Sequence, residues 1–292
     1  MDASDWDTFK QADSWKKRGF ALLLFAAFAL LVAGICAGCV FAIPYFFPGY
    51  KSPEVTAQIG EAMLVISALA ATLIMAIATG RPFVEFGFGG RNRIRNFLIG
   101  IVCGLAFLAV LLVGLKLLGV FTFGNPTIDL TSTGSYAASY AALFLAVAVG
   151  EETMFRGYAQ VSLSRALSFW PAAILLGLMF GAAHLGNGPS ESYMGAAATG
   201  LFGIVFAYSF LKTGSLWLAI GIHAGWDYAE SFVFGVSDSG TPALPGAIFH
   251  PTSHGPDWLT GGTVGPEGSV LVIAPLLAIV IVSFALRRPS QS

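Results

Sequence analysis

The chain has 292 residues, of which 56% are hydrophobic and only 11% are charged, and its mean hydropathy is +0.76. A soluble domain carries about 25% charged residues, so this composition excludes a water-soluble globular protein and predicts a membrane protein. The net charge of −1 comes without any basic stripe, so the expected partner is the lipid bilayer and not nucleic acid.

In chain order, residues 1–19 form a polar N-terminal segment, and the apolar segment that follows is too long for a cleavable signal peptide. Eight apolar segments are candidates for helices that cross a hydrocarbon core of ~30 Å. These segments are residues 20–47, 62–79, 97–120, 136–150, 172–185, 193–211, 216–234 and 270–286. The sequence therefore predicts an all-α polytopic membrane protein with a single transmembrane domain over residues 20–286.

The basic residues are distributed unequally between the connections. With a cytoplasmic N-terminus and eight spans, 13 of the 15 basic residues lie on the cytoplasmic side, and only Lys51 and Lys116 lie outside. The positive-inside rule favours this arrangement, with both termini inside. Residues 1–19 are then a cytoplasmic segment and residues 287–292 a cytoplasmic tail of a multi-pass protein, which we expect in a bacterial plasma membrane.

The connection before the last segment, residues 235–269, is rich in Gly, Pro, Ser and Thr. This composition predicts a solvated outer loop. The loop contains His250, His254 and Asp257, residue types that bind metals. They could form a metal clip, but a solvated loop explains them better.

Charged groups inside membrane segments are costly and are candidates for function. The fourth segment runs into Glu151, Glu152 and Arg156. Glu152 and Arg156 are four residues apart and can pair along one helix face. Glu151 is rotated by about 100° from Glu152, so one carboxylate can be neutralised while the other remains available for chemistry.

The fifth and seventh segments carry the other polar groups, His184 in one and His223 with Asp227 in the other. The helical rise of ~1.5 Å per residue predicts that Glu151 and both histidines lie at similar depth, in the cytoplasmic half of the bilayer. Both segments also have small residues four apart, which permit close helix packing. These pairs are Gly177 with Gly181 and Gly221 with Gly225.

Three motifs in this order resemble the CAAX protease and bacteriocin-processing family. They are E-E-T-M-F-R at 151–156, F-G-A-A-H at 180–184 and H-A-G-W-D at 223–227. The family pattern is E-E-x-x-x-R, F-x-x-x-H and H-x-x-x-Asn or Asp on successive membrane helices. The resemblance covers about residues 90–233 and implies the eight-helix core of an intramembrane glutamic endopeptidase similar to CAAX prenyl protease 2.

The resemblance also implies roles for the matching residues. Glu151 would be the general base that activates water, helped by His184. His223 and Asp227 would line the site and stabilise the developing oxyanion, while the other residues support the base. The implied catalytic residues are Glu151, His184, His223 and Asp227, and the supporting residues are Glu152, Arg156 and Phe180. The family implies no cofactor and no metal, and its substrates would be membrane-associated or lipidated peptides and proteins.

Asp227 departs from the asparagine that the family often has at this position. An ionised aspartate cannot donate a hydrogen bond to an oxyanion and would repel it. Asp227 is therefore either protonated through desolvation or serves only to orient His223. The sequence leaves both alternatives open.

Three other functions fit parts of the pattern. Two histidines and a glutamate are a catalytic zinc set, although no H-E-x-x-H motif occurs. Intramembrane Glu, His and Asp also form the proton relays of transporters, although neither inverted repeats nor broken helices are evident. A non-catalytic scaffold is the third alternative. The sequence does not identify the substrate or the oligomeric state.

Overall fold

A computed structural model describes residues 12–46, 53–90, 92–129, 132–187, 190–243 and 245–287. Parts of several predictions lie outside these residues. They are residues 1–11 of the N-terminal segment, residue 47 of the first apolar segment, the basic residues Lys51 and Arg91, residue 244 of the connection 235–269, and residues 288–292 of the tail.

The first half of the chain forms long apolar helices. Their bounds are α1 (Trp15–Phe46), α2 (Pro53–Thr79), α3 (Arg93–Leu117) and α4 (Thr133–Glu152), and a 3-10 turn, Phe83–Phe86, lies between α2 and α3. α4 continues through a π-helical turn, Thr153–Tyr158, into α5 (Ala159–Leu167).

The second half is also helical. Its helices are α6 (Phe169–His184), α7 (Tyr193–Thr213), α8 (Trp217–Tyr228), α9 (Asp257–Thr260) and α10 (Ile273–Ala285). A second π-helical turn, Ala229–Phe234, follows α8, and 3-10 turns occupy Pro266–Gly268 and Val270–Val272. The strands β1 (Phe121–Thr122) and β2 (Thr252–Ser253) form one short antiparallel pair.

Each of the eight predicted apolar segments is helical in the structure, and the all-α membrane fold is confirmed. Five helical runs of the described residues are long and apolar enough to cross a membrane, and two shorter apolar helices accompany them. The long runs are Lys17–Ile43, Ala62–Thr79, Arg93–Leu117, Thr133–Leu167 and Tyr193–Thr213. The count of eight spans and the orientation remain predictions.

The fourth segment ends later than its apolar run indicated. The sequence placed its end near Gly150, but the helical run continues to Leu167. The polar residues after Gly150 stay inside the protein because Glu152 and Arg156 neutralise each other at 3.1 Å. A paired charge can remain buried where a single one could not.

The predicted small-residue contacts are confirmed. Gly225 brings α8 against α3, where a Cβ would lie 2.5 Å from the carbonyl oxygen of Ile101. Gly177 brings α6 against α7 in the same way, with a Cβ position 2.8 Å from the carbonyl oxygen of Gly200. Gly181 and Gly221 make similarly close backbone contacts. Each helix that carries a histidine motif is thus packed closely against a neighbour, α8 against α3 and α6 against α7.

The connection 235–269 is not solvated throughout, contrary to the expectation from its composition. Its exposed part includes His254, whereas Val264, Pro266 and Glu267 are buried. Asn187, just after α6, donates a hydrogen bond of 2.9 Å to the backbone carbonyl of Ser239. The connection therefore folds back onto the helix bundle and leaves only part of its length in solvent.

The topology can be tested with reporter fusions. We expect a fusion after residue 287 to report a cytoplasmic location, and a fusion near residue 250 to report the opposite side, because the basic residues favour this orientation. A C-terminal reporter active on the outer side would overturn the eight-span arrangement.

Candidate active site

The four candidate catalytic residues, which come from three helices, line one cavity of about 290 Å³. Glu151 comes from the end of α4, His184 from the end of α6, and His223 and Asp227 from α8. Phe180 from α6 also faces this cavity. Residues that are widely separated in the sequence are thus brought together around one cavity.

Glu152 and Arg156 form a fully buried ion pair behind the cavity. Their side chains are 0% and 1% exposed, and Arg156 Nη1 lies 3.1 Å from Glu152 Oε1, as the four-residue spacing predicted. Arg156 Nε also donates to the backbone carbonyl of Gly203 at 3.3 Å. A Cβ at Gly203 would lie 2.5 Å from Arg156 Nη2, so the glycine makes room for the guanidinium.

The two adjacent glutamates have different surroundings. The Glu151 side chain is 15% exposed and faces the cavity, whereas Glu152 is 0% exposed. The rotation of about 100° between neighbouring helical residues explains the difference. Glu151 is thus the glutamate of this pair that a substrate or water in the cavity can reach.

His223 lies between three carboxylates. Its Nδ1 is 3.2 Å from Glu152 Oε1, and its Nε2 is 3.4 Å from Asp227 Oδ2 and 3.6 Å from Glu151 Oε2. The spacing on α8 predicted that His223 and Asp227 share a face. It gave no indication of Glu152 as a partner, because that contact crosses from one helix to another.

Phe180 connects the buried arginine with His184. The guanidinium of Arg156 lies over the Phe180 ring, 4.1 Å from its centroid, a favourable cation–π geometry. The carbonyl oxygen of Phe180 is 2.8 Å from His184 Nδ1. A proton on Nδ1 can be donated to this carbonyl, which leaves Nε2 as the acceptor in the neutral ring.

Both acidic motifs are followed by π-helical turns. The turn Thr153–Tyr158 follows the two glutamates, and the turn Ala229–Phe234 follows Asp227. Within the first turn, Gly157 has a non-helical backbone (φ −79°, ψ −115°). Such wide turns are rare and occur frequently at functional sites, so they agree with the position of the cavity.

The connection 235–269 contributes part of the cavity wall, which sequence reasoning missed. Asp238, Ser239, Thr241 and Glu267 line the same cavity as the histidines, and Ser239 Oγ donates to Glu267 Oε2. Burial raises the pKa of Glu267. Burial, Asp227 and Glu267 raise the pKa of Asp238 well above its usual range. These loop acids therefore hold protons at higher pH than they would in water.

The loop residues also bear on the depth of the site. The helical-rise estimate put the candidate residues in the cytoplasmic half, but Asp238 and Thr241 belong to the predicted outer loop and line the same cavity. The cavity therefore extends from the helix segments that carry the motifs to the predicted outer loop.

Residues 133–229 match the sequence model of a family described as type II CAAX prenyl endopeptidase Rce1-like. No curated protein and no solved structure matches the chain. The matched interval contains all three motifs that carry the resemblance. A family of this description implies a peptidase. Residues 133–229 of this integral multi-pass membrane protein are therefore an Rce1-like region, and the resemblance to the CAAX protease family is confirmed.

Proposed function

We propose that the chain is an intramembrane endopeptidase in which Glu151 activates a water molecule to attack a peptide bond. The observation that carries this proposal is that Glu151 faces the cavity with two histidines while Glu152 is paired behind it. A glutamate in an apolar cavity with access to water suits a general base. The protease-like core is about residues 90–233 of a single domain spanning residues 20–286.

The first chemical step is proton transfer from water. Glu151 accepts the proton, and the oxygen of the water forms a bond with the carbonyl carbon of the substrate. His184 helps by accepting a hydrogen bond from the same water through Nε2, since its Nδ1 faces the Phe180 carbonyl at 2.8 Å. Holding the water between two acceptors orients its lone pair towards the carbonyl carbon.

The developing oxyanion requires a donor, and His223 is placed to provide it. With a proton on each nitrogen, the ring donates from Nδ1 to Glu152 and presents its Nε2 proton near the cavity. Asp227 lies 3.4 Å from this Nε2, which favours the alternative in which it orients His223. The aspartate then need not donate to the oxyanion itself.

Breakdown of the tetrahedral intermediate returns the proton. Glu151, now protonated, donates to the leaving amide nitrogen as the bond between carbon and nitrogen breaks, which regenerates the carboxylate. The products are a new carboxyl terminus and a free amine. We propose membrane-associated or lipidated peptides as substrates, of the CAAX type or of the bacteriocin-processing type.

The single most direct test is a cleavage assay. Purified protein in liposomes would be incubated with a library of lipidated and unmodified peptides, and products would be identified by mass spectrometry. Cleavage of a peptide bond supports the proposal. Binding without cleavage by well-folded protein favours a scaffold, and proton-coupled uptake without cleavage favours a transporter.

Zinc should not be needed for cleavage. No H-E-x-x-H motif occurs, and the possible ligands Glu151, His184 and His223 come from three different helices. We expect elemental analysis of active protein to find much less than one zinc per chain. Stoichiometric zinc whose removal and return switch activity off and on would support a metalloprotease instead.

A further inference from the structure

A group of acidic side chains lies where α8 passes into its π-helical turn, and it includes the proposed catalytic residue Asp227. Asp227 belongs to α8, Glu230 to the turn and Asp238 to the connection that follows. One carboxylate oxygen from each residue lies within 4.8 Å of the other two. Three chain segments therefore direct carboxylates at the same small volume.

Glu230 is the unusual member of this group. Its side chain is 0% exposed, and among the described residues neither of its oxygens accepts a hydrogen bond. The indole Nε1 of Trp226 faces it but lies outside hydrogen-bonding geometry. A small shift of Trp226 would let its single N–H donate a hydrogen bond to only one of the two oxygens. A buried carboxylate without partners is strongly unfavourable.

Protonation alone does not resolve this deficit. A protonated Glu230 would carry an O–H donor and a carbonyl acceptor, and both would still lack partners. The charged groups that act on Glu230 are Asp227, Asp238 and Glu267, all of them acidic. His223 also acts on Asp238, but it already contacts Asp227 and two glutamates. A bound cation would both coordinate the Glu230 oxygens and offset the negative charge of the surrounding acidic residues.

We propose that a divalent cation of the size and oxygen preference of Ca²⁺ binds between Asp227, Glu230 and Asp238. Ca²⁺ is bound by oxygen ligands at about 2.3–2.6 Å in flexible geometry, whereas Mg²⁺ demands a near-ideal octahedron at about 2.0–2.1 Å. Three oxygens within 4.8 Å of one another suit the larger and more adaptable ion. Three carboxylates offer six oxygens, close to the number that Ca²⁺ requires.

The position of Glu230 favours a bare ion over a cationic side chain of a substrate as the occupant of this site. Asp227 and Asp238 line the cavity, whereas Glu230 is buried behind its wall. An ion between the three oxygens contacts all three carboxylates, whereas a Lys or Arg side chain that stays in the cavity faces only Asp227 and Asp238. The ion would tie the connection 235–269 to α8 and hold Asp227 beside His223. It would be structural, and it adds a metal to a protein whose sequence indicated none.

The test is calcium binding by purified, EDTA-treated full-length protein in detergent. We expect CaCl₂ at ten times its dissociation constant to raise Tm by roughly 3 °C. Glu230→Gln and Asp238→Asn should each weaken the apparent affinity by about tenfold or more, because each removes one charged ligand. Asp257→Asn removes an exposed acid from the same connection and is the matched control, with unchanged affinity.

Stability without calcium gives a second readout. In EDTA, Glu230→Gln should be at least as stable as the parent, because it removes a buried, unpaired charge. If this variant fails to fold, the half-buried Asp238 provides the decisive substitution. The proposal is overturned if calcium neither binds nor stabilises the parent, if both ligand variants bind like the parent, or if only zinc binds and His184→Ala abolishes that binding.

Discussion

Glu151→Gln should lower the rate of peptide cleavage by about 10²- to 10⁴-fold, the usual effect of losing a general base. Glutamine keeps the shape of the side chain but cannot accept the proton of water. Glu151 is partly exposed to the cavity and does not pair with Arg156 in the structure, so the variant should insert and fold like the parent. Cleavage in liposomes and thermal stability should be measured on the same preparation.

Controls make this result interpretable. His184→Ala and His223→Ala should also lose most of the activity, whereas His250→Ala and His254→Ala in the connection 235–269 should cleave at the parental rate. Both control histidines lie away from the cavity. A Glu151→Gln protein with parental activity would refute the glutamate mechanism. Equal losses in the control variants would show that the assay reports folding and not chemistry.

Arg156→Ala should destabilise the protein by ~3 kcal/mol or more, because it leaves Glu152 buried without its partner. The variant also loses the cation above the Phe180 ring and the bond to the Gly203 carbonyl. We expect low yield, a lower midpoint in thermal unfolding and low activity. Since Glu152 also contacts His223, the unpaired carboxylate would disturb the proposed oxyanion donor as well.

Arg165 provides the matched control for this prediction. It pairs with Asp13 at 3.0 Å, but its side chain is 42% exposed. An exposed pair contributes at most about 1 kcal/mol, so Arg165→Ala should accumulate and unfold much like the parent. If Arg156→Ala had the same yield and thermal midpoint as Arg165→Ala, the buried pair would have no importance for stability.

Composition and local periodicity determined much of this architecture. A chain with 11% charged residues must place its surface in lipid, and apolar runs in a membrane become helices because their backbone groups need internal partners. The pairing of Glu152 with Arg156 and the shared face of His223 and Asp227 were also predictable. Each pair is four residues apart on one helix, so its geometry follows from the helical repeat alone.

Only the tertiary structure decided which groups meet across helices. The contact of His223 with Glu152 joins residues that are 71 positions apart, and no spacing within a helix encodes it. The composition of the connection 235–269 predicted a solvated loop, yet Glu267 is buried in the cavity wall. Composition does not predict this burial, because the burial of a polar residue depends on partners from other segments. For the same reason, the sequence did not predict that the carboxylates of Asp227, Glu230 and Asp238 lie close together. Their convergence depends on how the chain turns back after α8, a long-range property that local sequence patterns do not report.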